Sequence, residues 1–251
     1  MRLKDKTAIV TGARSGIGLA TVIRFLAEGA NVIACDIKDP RKQIETITSS
    51  SRKVLPVRAD VSLEGSAKLL IRRAVARYGR LDVLVNNAGI QLAKTVTETT
   101  ANEWDHLMSI NLKSVFLCSK AAISEMSRTG GGVIVNVASE LGIVGANGIA
   151  AYCASKGGVI LLTKAMAVDH ASENIRINCV CPGPTDTPLL DQIFESSSNP
   201  TRERQNTINK VLLKRLGKAS EIADAILFLS CEESSYMTGS SLVVDGGLTA
   251  Q

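Results

Sequence analysis

Tyr152 and Lys156 stand four residues apart in AYCASKGGVILLTKAMA (151–167), a stretch otherwise made mostly of small and apolar residues. On a helix, positions i and i+4 put the phenol and the ammonium on one face. A free phenol titrates near pH 10 and is a poor base at neutrality. Lowering it by about 3 units takes about 4 kcal/mol of differential stabilisation, within reach of a close ammonium in a partly dry site. Such a pair takes a proton from an alcohol or returns one to a ketone. The same spacing also suits an interfacial ring and a snorkelling amine, so the company the pair keeps decides its meaning. Thirteen residues upstream, Ser139 ends the β-branched run GVIVNVAS. A hydroxyl there could hold a substrate oxygen as charge develops on it. Asn111, in SINLKSVFLC, sits inside a helical pattern that its side chain disfavours. It is expected to disrupt the hydrogen-bond ladder and turn a backbone carbonyl toward a water near Lys156.

A second constellation has the makings of a dinucleotide site. TGARSGIGLA places Gly12, Gly16 and Gly18, with Arg14, Ser15 and Ile17 among them, between an apolar run and a helical pattern. Glycines there permit a tight turn and let backbone approach a pyrophosphate at the positive end of a helix. The spacing is GxxxGxG, and taken alone it serves equally as a glycine-rich turn without a ligand. Asp36, eighteen residues after Gly18, ends the next strand pattern. A carboxylate at that point accepts from ribose hydroxyls and repels a 2′-phosphate, so NAD(H) is expected over NADP(H). Arg14 and Lys38 are nearby cations that soften the preference, and an aspartate can also simply close a strand. Asp60 and Val61 follow a third run, where the adenine edge would lie. Asn87, Ala88 and Gly89 of NNAG offer small residues where a strand passes close to a ribose; each in isolation is ordinary turn chemistry.

The elements that must position these residues alternate almost to the end of the chain. Strand patterns cover 6–12, 31–36, 53–60, 81–89, 132–139, 175–183 and 241–247, and amphipathic segments lie near 16–28, 62–78, 101–127, 151–171 and 219–230. Near-continuous apolar strands belong to a parallel sheet covered on both faces. The alternation predicts an α/β, doubly wound, mostly seven-stranded parallel sheet of Rossmann-like form, with 1–251 as one domain. Residues 188–217, with the polar patch Ser196, Ser197, Ser198, Asn199 and Pro200, break the rhythm and are expected to form a substrate lid or a mobile loop.

TGARSGIG, NNAG, Asn111, Ser139, Tyr152-xxx-Lys156, CPGPTDT and VVDGG, in this order and across essentially the whole chain, resemble the short-chain dehydrogenase/reductase family. The resemblance implies a nicotinamide-dependent oxidoreductase with Asn111, Ser139, Tyr152 and Lys156 as its catalytic set. It also implies that Tyr152, Lys156, Pro182, Gly183, Thr185 and Thr187 meet the nicotinamide half, and that the segment after Thr187 closes over substrate. A homotetramer is implied too, with helices near 111–127 and 151–171 packed across one interface. Ala154, Gly157 and Gly158 would permit that approach, or serve packing inside the subunit.

Composition excludes other classes. The 251 residues are 45% hydrophobic and 3% aromatic, with 29 basic against 24 acidic side chains spread along the chain. That leaves no basic block for nucleic acid and no stacking platform. No stretch reads as a signal peptide or a membrane span. Six cysteines without CxxC spacing and two histidines point to no metal site and to buried thiols in a reducing cytoplasm. Cys179 and Cys181, alternating in INCVCPG, are expected on opposite faces of a strand. The branch-level stretches NCVCPGPTDTPLL and LKRLGKASEIADAILFL are similar to family members that oxidise cyclic or hydroxyacyl-thioester alcohols. Arg202, Arg204, Lys210, Lys214 and Arg215 could receive a phosphorylated carrier, or be a solvated face. Asp36 tilts the expectation from a 3-oxoacyl-(acyl-carrier-protein) reductase, which usually uses NADPH, to a catabolic NAD-dependent secondary-alcohol dehydrogenase. A dinucleotide sensor without turnover would show loss of Tyr152 or Lys156, and both are present.

Overall fold

The computed structural model describes residues 1–47 and 52–251. The first half alternates β1 (Thr7–Thr11), α1 (Gly16–Ala27), β2 (Asn31–Asp36), α2 (Arg41–Ile47), β3 (Val54–Arg58), α3 (Glu64–Tyr78) and β4 (Val83–Asn86). There follow α4 (Ala101–Met108), a π-helical turn (Ser109–Lys113), α5 (Ser114–Thr129), β5 (Gly132–Val137), α6 (Ala150–His170) and β6 (Ile175–Pro182). The last stretch holds β7 (Thr185–Asp186), α7 (Pro188–Glu195), α8 (Pro200–Lys210), β8 (Gly217–Lys218), α9 (Ala219–Ser230) and β9 (Ser241–Val244). Seven strands form one parallel sheet in the order β3-β2-β1-β4-β5-β6-β9. Strand order reverses between β1 and β4, and ligands of such sheets bind at the carboxyl ends flanking that point.

Side-chain alternation along each strand builds the two cores. Ala8 and Val10 of β1 pack with Val22 and Phe25 of α1 and Ile222 and Ile226 of α9. Ile9 points the other way, into a cluster with Leu70 of α3, Leu117 of α5 and Met166 of α6. Both faces are therefore buried, which is why the strands read as continuous apolar runs. No helix is long and apolar enough to cross a membrane among the described residues.

The same alternation corrects the expectation for the cysteines. Val180 lies on the α1/α9 side, whereas Cys179 and Cys181 share a small cluster with Val115 of α5 and Val159 of α6. A period of two sends i and i+2 to the same face. All six cysteines are free thiols.

Residues 188–217 hold two helices, α7 and α8, and return to the body of the protein through β8. Thr187 caps α7, accepting from Leu190 N at 3.4 Å, with Pro188 in the first turn. Asn199 caps α8 in the same way, accepting from Arg202 N at 3.0 Å ahead of Pro200. Both are good openings because the cap oxygen takes a free N–H and proline needs none. Arg204 ties α8 back to Asp186 (2.9 Å) and Asp191 (3.2 Å). The base of the excursion is closed by β7 pairing with β8, Thr185 opposite Gly217.

Candidate active site

Beyond β5 the chain passes through Ser139 into one 3-10 turn, Glu140–Gly142, and α6 packs against that turn. The approach is close: a Cβ on Gly142 would lie 2.7 Å from the Lys156 carbonyl carbon, and one on Gly158 would lie 2.8 Å from Leu112. Gly157 and Gly158 thus face neighbours inside the subunit, while Ala154 is exposed. This packing sets Tyr152 and Lys156, in the first two turns of α6, beside the end of β5. Ser139, Tyr152 and Lys156 are all buried, at 5%, 8% and 4% exposure. Lys156 Nζ donates to the Val137 carbonyl at 2.8 Å and lies 5.7 Å from the Tyr152 ring centroid. Ser139 Oγ accepts from Leu141 N at 3.1 Å and donates to Glu140 Oε2 at 2.5 Å.

The electrostatics depart from the expected tuning. Burial pushes the Tyr152 phenol above its ordinary value, with the Glu140 carboxylate adding to the effect and the Ser139 hydroxyl pulling against it. Burial likewise pushes Lys156 down to about 8. Both shifts favour neutral forms, because removing two charges from water outweighs their attraction at this separation. Glu140 is buried as well and rises to about 7.

Asn111 does interrupt its helix: the ladder loosens into the π turn between α4 and α5. The side chain is fully buried and bonds both backbone groups of Ile90, accepting from its N–H and donating to its carbonyl at 2.8 Å each. It also donates to Ser155 Oγ at 3.1 Å. Gly89 sits between the two polar groups, where a Cβ would lie 3.4 Å from Asn111 Oδ1 and 3.6 Å from Lys156 Nζ. Asn111 therefore anchors the NNAG loop against the lysine, and its amide is committed to protein partners.

The nucleotide end is shaped by the space its glycines leave. Gly12 (φ 65°) and Gly16 (φ 54°) occupy the left-handed region. A Cβ on Gly18 would fall 2.1 Å from the Gly12 carbonyl oxygen, so the turn admits only glycine there. The hydroxyl of Ser15, at the N-cap of α1, makes no capping bond, and the first turn carries no acidic residue. Amides of Ile17 and Gly18 at a helix N-terminus make a cradle for a phosphate. Asp36 comes to the same place, accepting from the backbone N–H of Arg14 at 3.2 Å and of Lys38 at 3.1 Å. Asn87 Nδ2 donates to Thr11 O at 2.8 Å and Gly12 O at 3.2 Å, and Thr11 Oγ1 accepts from the amides of Asn87 and Ala88. Asp60 is turned to Ser62 (2.9 Å to N, 2.7 Å to Oγ), with Val61 buried. Pro182 pairs with Val244, Gly183 N donates to Val244 O at 3.0 Å, and Thr185 Oγ1 donates to Gly183 O at 2.8 Å. Thr187 closes the ring, its methyl 3.2 Å from where a Gly16 Cβ would be. The residues present fit a dinucleotide.

Four contributors escaped the sequence reading: Thr11, Ile90, Ser155 and Glu140. Thr11 and Ser155 act through hydroxyls that accept from the NNAG amides and from Asn111, Ile90 acts through its backbone, and none of the three had a signal of its own. Glu140 had one, an acidic side chain next to Ser139 in an apolar stretch.

A family model described as enoyl-(acyl carrier protein) reductase matches residues 12–249. The chain is 40% identical, over 99% of both sequences, to the 3-oxoacyl-(acyl-carrier-protein) reductase of Thermotoga maritima. A short-chain type dehydrogenase/reductase from Mycobacterium marinum superposes with a TM-score of 0.92 at 32% identity, covering 99% of this chain and 97% of that one. The chain belongs to the short-chain dehydrogenase/reductase family. As a family member it is a nicotinamide-dependent oxidoreductase acting on CH–OH groups. It is also 41% identical, over 99% of each chain, to the cyclopentanol dehydrogenase of Comamonas sp. (strain NCIMB 9872). The crystal structure of levodione reductase superposes with a TM-score of 0.95 at 35% identity over 99% of both chains.

Proposed function

We propose that this protein is an NAD-dependent dehydrogenase of a small secondary alcohol, with Ser139, Tyr152, Lys156 and Asn111 as its catalytic set. The observation that carries the reading is the joint burial of a hydroxyl, a phenol and an amine at the carboxyl edge of the sheet, joined to the glycine turn through NNAG. Gly12, Arg14, Ser15, Gly16, Ile17 and Gly18 would hold the pyrophosphate and Asp36 the adenosine ribose. Asp60, Val61, Asn87, Ala88 and Gly89 would line the adenine and ribose path, and Pro182, Gly183, Thr185 and Thr187 the nicotinamide half. When bound, NAD⁺ supplies a hydride acceptor and a positive charge beside Tyr152.

The substrate oxygen sits between Ser139 Oγ and Tyr152 Oη. Tyr152 removes its proton in oxidation and returns one in reduction. Burial holds the phenol protonated until a second cation joins Lys156. Lys156 stabilises the phenolate, and its donation to the Val137 carbonyl holds its amine at the end of β5. Asn111 keeps Gly89 and Ile90 in place beneath it. The helical pair α7–α8 acts as the lid.

Asp36 supports NAD over NADP, since its carboxylate would meet a 2′-phosphate with like charge. Three of the five cations near the lid already have partners: Arg204 with Asp186 and Asp191, Arg215 with Glu221 at 2.7 Å, and Lys214 with Asn209 O at 2.7 Å. That favours a small uncharged alcohol over a phosphorylated carrier, the second reading, which the relationship to the carrier-protein reductase supports. Exposed Phe116 on α5 and Leu161 and Val168 on α6 support a homotetramer packed through those helices, working in the cytoplasm. A panel of cyclic, linear and thioester alcohols, each with NAD⁺ and NADP⁺ and followed by nicotinamide absorbance, separates the readings. Reduction of NAD⁺ by cyclic alcohols is expected; turnover of thioester substrates alone, with NADP(H), would favour the carrier-protein reading.

A further inference from the structure

Glu140 presses against the proposed reaction centre, yet the chemistry above gives it no part. Its carboxylate is 5% exposed and accepts the Ser139 hydroxyl at 2.5 Å, while Ser139 Oγ accepts the Leu141 N–H at 3.1 Å. A serine hydroxyl has one proton and two lone pairs. With the proton aimed at Glu140 and one lone pair on Leu141, a single lone pair is left for the cleft. Ser139 then faces substrate as an acceptor only. An alcohol hydroxyl can donate to it, but a ketone oxygen receives nothing from it. A protonated Glu140 reverses this accounting. It can itself donate to Ser139 Oγ, and the serine proton becomes free to point at a ketone oxygen.

We propose that Glu140 is a positioning residue that sets the hydrogen-bond polarity of Ser139: ionised, it holds the serine as an acceptor for alcohol; protonated, it frees the serine as a donor to ketone. The proposal rests on the assignment of Ser139 above. The surroundings make the switch reachable near neutrality. Burial raises the Glu140 carboxyl to about 7, and the Asp245 carboxylate, just after β9, adds to the rise. The other ionisable groups around it are Tyr152 and Lys156 on α6 and Cys181 on β6. Lys156 is turned to Val137 O, and Cys181 is a thiol held protonated by its contact with Cys179 and by burial.

The test compares kcat/KM for ketone reduction and alcohol oxidation from about pH 5 to about pH 9, in wild type and in Glu140→Gln. Cyclopentanol and cyclopentanone are the first probe pair, followed by the most active alcohol of the panel and its ketone. In wild type, ketone kcat/KM is expected to fall about tenfold through a step near pH 7 that alcohol oxidation lacks. Glutamine can donate to or accept from Ser139 without titrating, so the step should vanish in Glu140→Gln with reduction held at its acid-side level. A step that persists in Glu140→Gln at the same midpoint overturns the proposal. Ser139→Ala separates the two assignments. Full turnover in Ser139→Ala defeats the serine reading itself, whereas an inactive Ser139→Ala with an unchanged Glu140→Gln profile defeats only the switch. A readout without turnover is the carboxyl carbon titration of Glu140 by NMR in wild type. A midpoint near 7 supports the proposal, and one in the usual carboxylate range overturns it even if the variant does not fold.

Discussion

The two halves of the cleft are built by opposite means. At the proposed nucleotide end the parts that would meet the ligand are backbone amides, in a turn that closes only because Gly12, Gly16 and Gly18 carry no side chains. At the chemical end they are ionisable side chains taken out of water: Tyr152, Lys156 and Glu140. A backbone cradle has a fixed partial charge that pH does not change. A buried cluster has charges that depend on one another and on whatever binds beside them. On the proposed reading the first end would select by shape and the second by protonation state.

Substitutions should break the two ends in different ways. The largest effect belongs to the chemical end: Tyr152→Phe should lower turnover by about 10³-fold or more, with dinucleotide affinity by calorimetry changed by no more than a few-fold. At the nucleotide end Gly18→Ala should act through binding, because its methyl would meet a backbone oxygen at 2.1 Å. Affinity for the dinucleotide should drop about 100-fold, equivalent to about 3 kcal/mol, or the chain should lose its cooperative melting transition. An intact affinity would mean the turn can open.

Asn111→Ala touches the join between the ends. It strands the half-buried N–H and carbonyl of Ile90 and should cost about 2 kcal/mol, read from denaturant unfolding. Smaller is Asp36→Ala, expected to shift the NAD-to-NADP preference by about tenfold, or about 1.4 kcal/mol, in kcat/KM. No shift would leave the aspartate as a strand terminator.

Stability against pH sharpens the contrast without any variant. Glu140 has a raised folded pKa, so the protein should lose stability as pH rises from about 4.5 to about 7. Lys156 has a depressed one, from 10.5 to about 8, so its cost persists below pH 8 and is relieved as pH climbs through that window. Melting temperatures in Glu140→Gln should lose the acid-side slope and keep the alkaline one.

What the sequence disclosed follows the same division. Seven strands were readable because both sheet faces are buried and the runs are apolar. The glycine turn and Asp36 were readable because a missing side chain and a strand-end carboxylate are local facts. The helices α7 and α8 were hidden by their polar faces and by the Ser196–Pro200 junction, although the caps Thr187 and Asn199 marked them. The short α2, with Ile44 as its single buried residue, was too brief for periodicity to register. Burial at the chemical end was invisible, and with it the sign of the shifts on Tyr152 and Lys156. Their spacing was legible; their solvent was not.

The account stands on Tyr152 becoming ionised only when a bound positive charge reinforces Lys156. An ultraviolet phenolate difference titration, wild type minus Tyr152→Phe, measures this directly with and without NAD⁺. The chain alone should form no Tyr152 phenolate below about pH 10, and the NAD⁺ complex should form it by about pH 8. The same high midpoint in both would contradict the account.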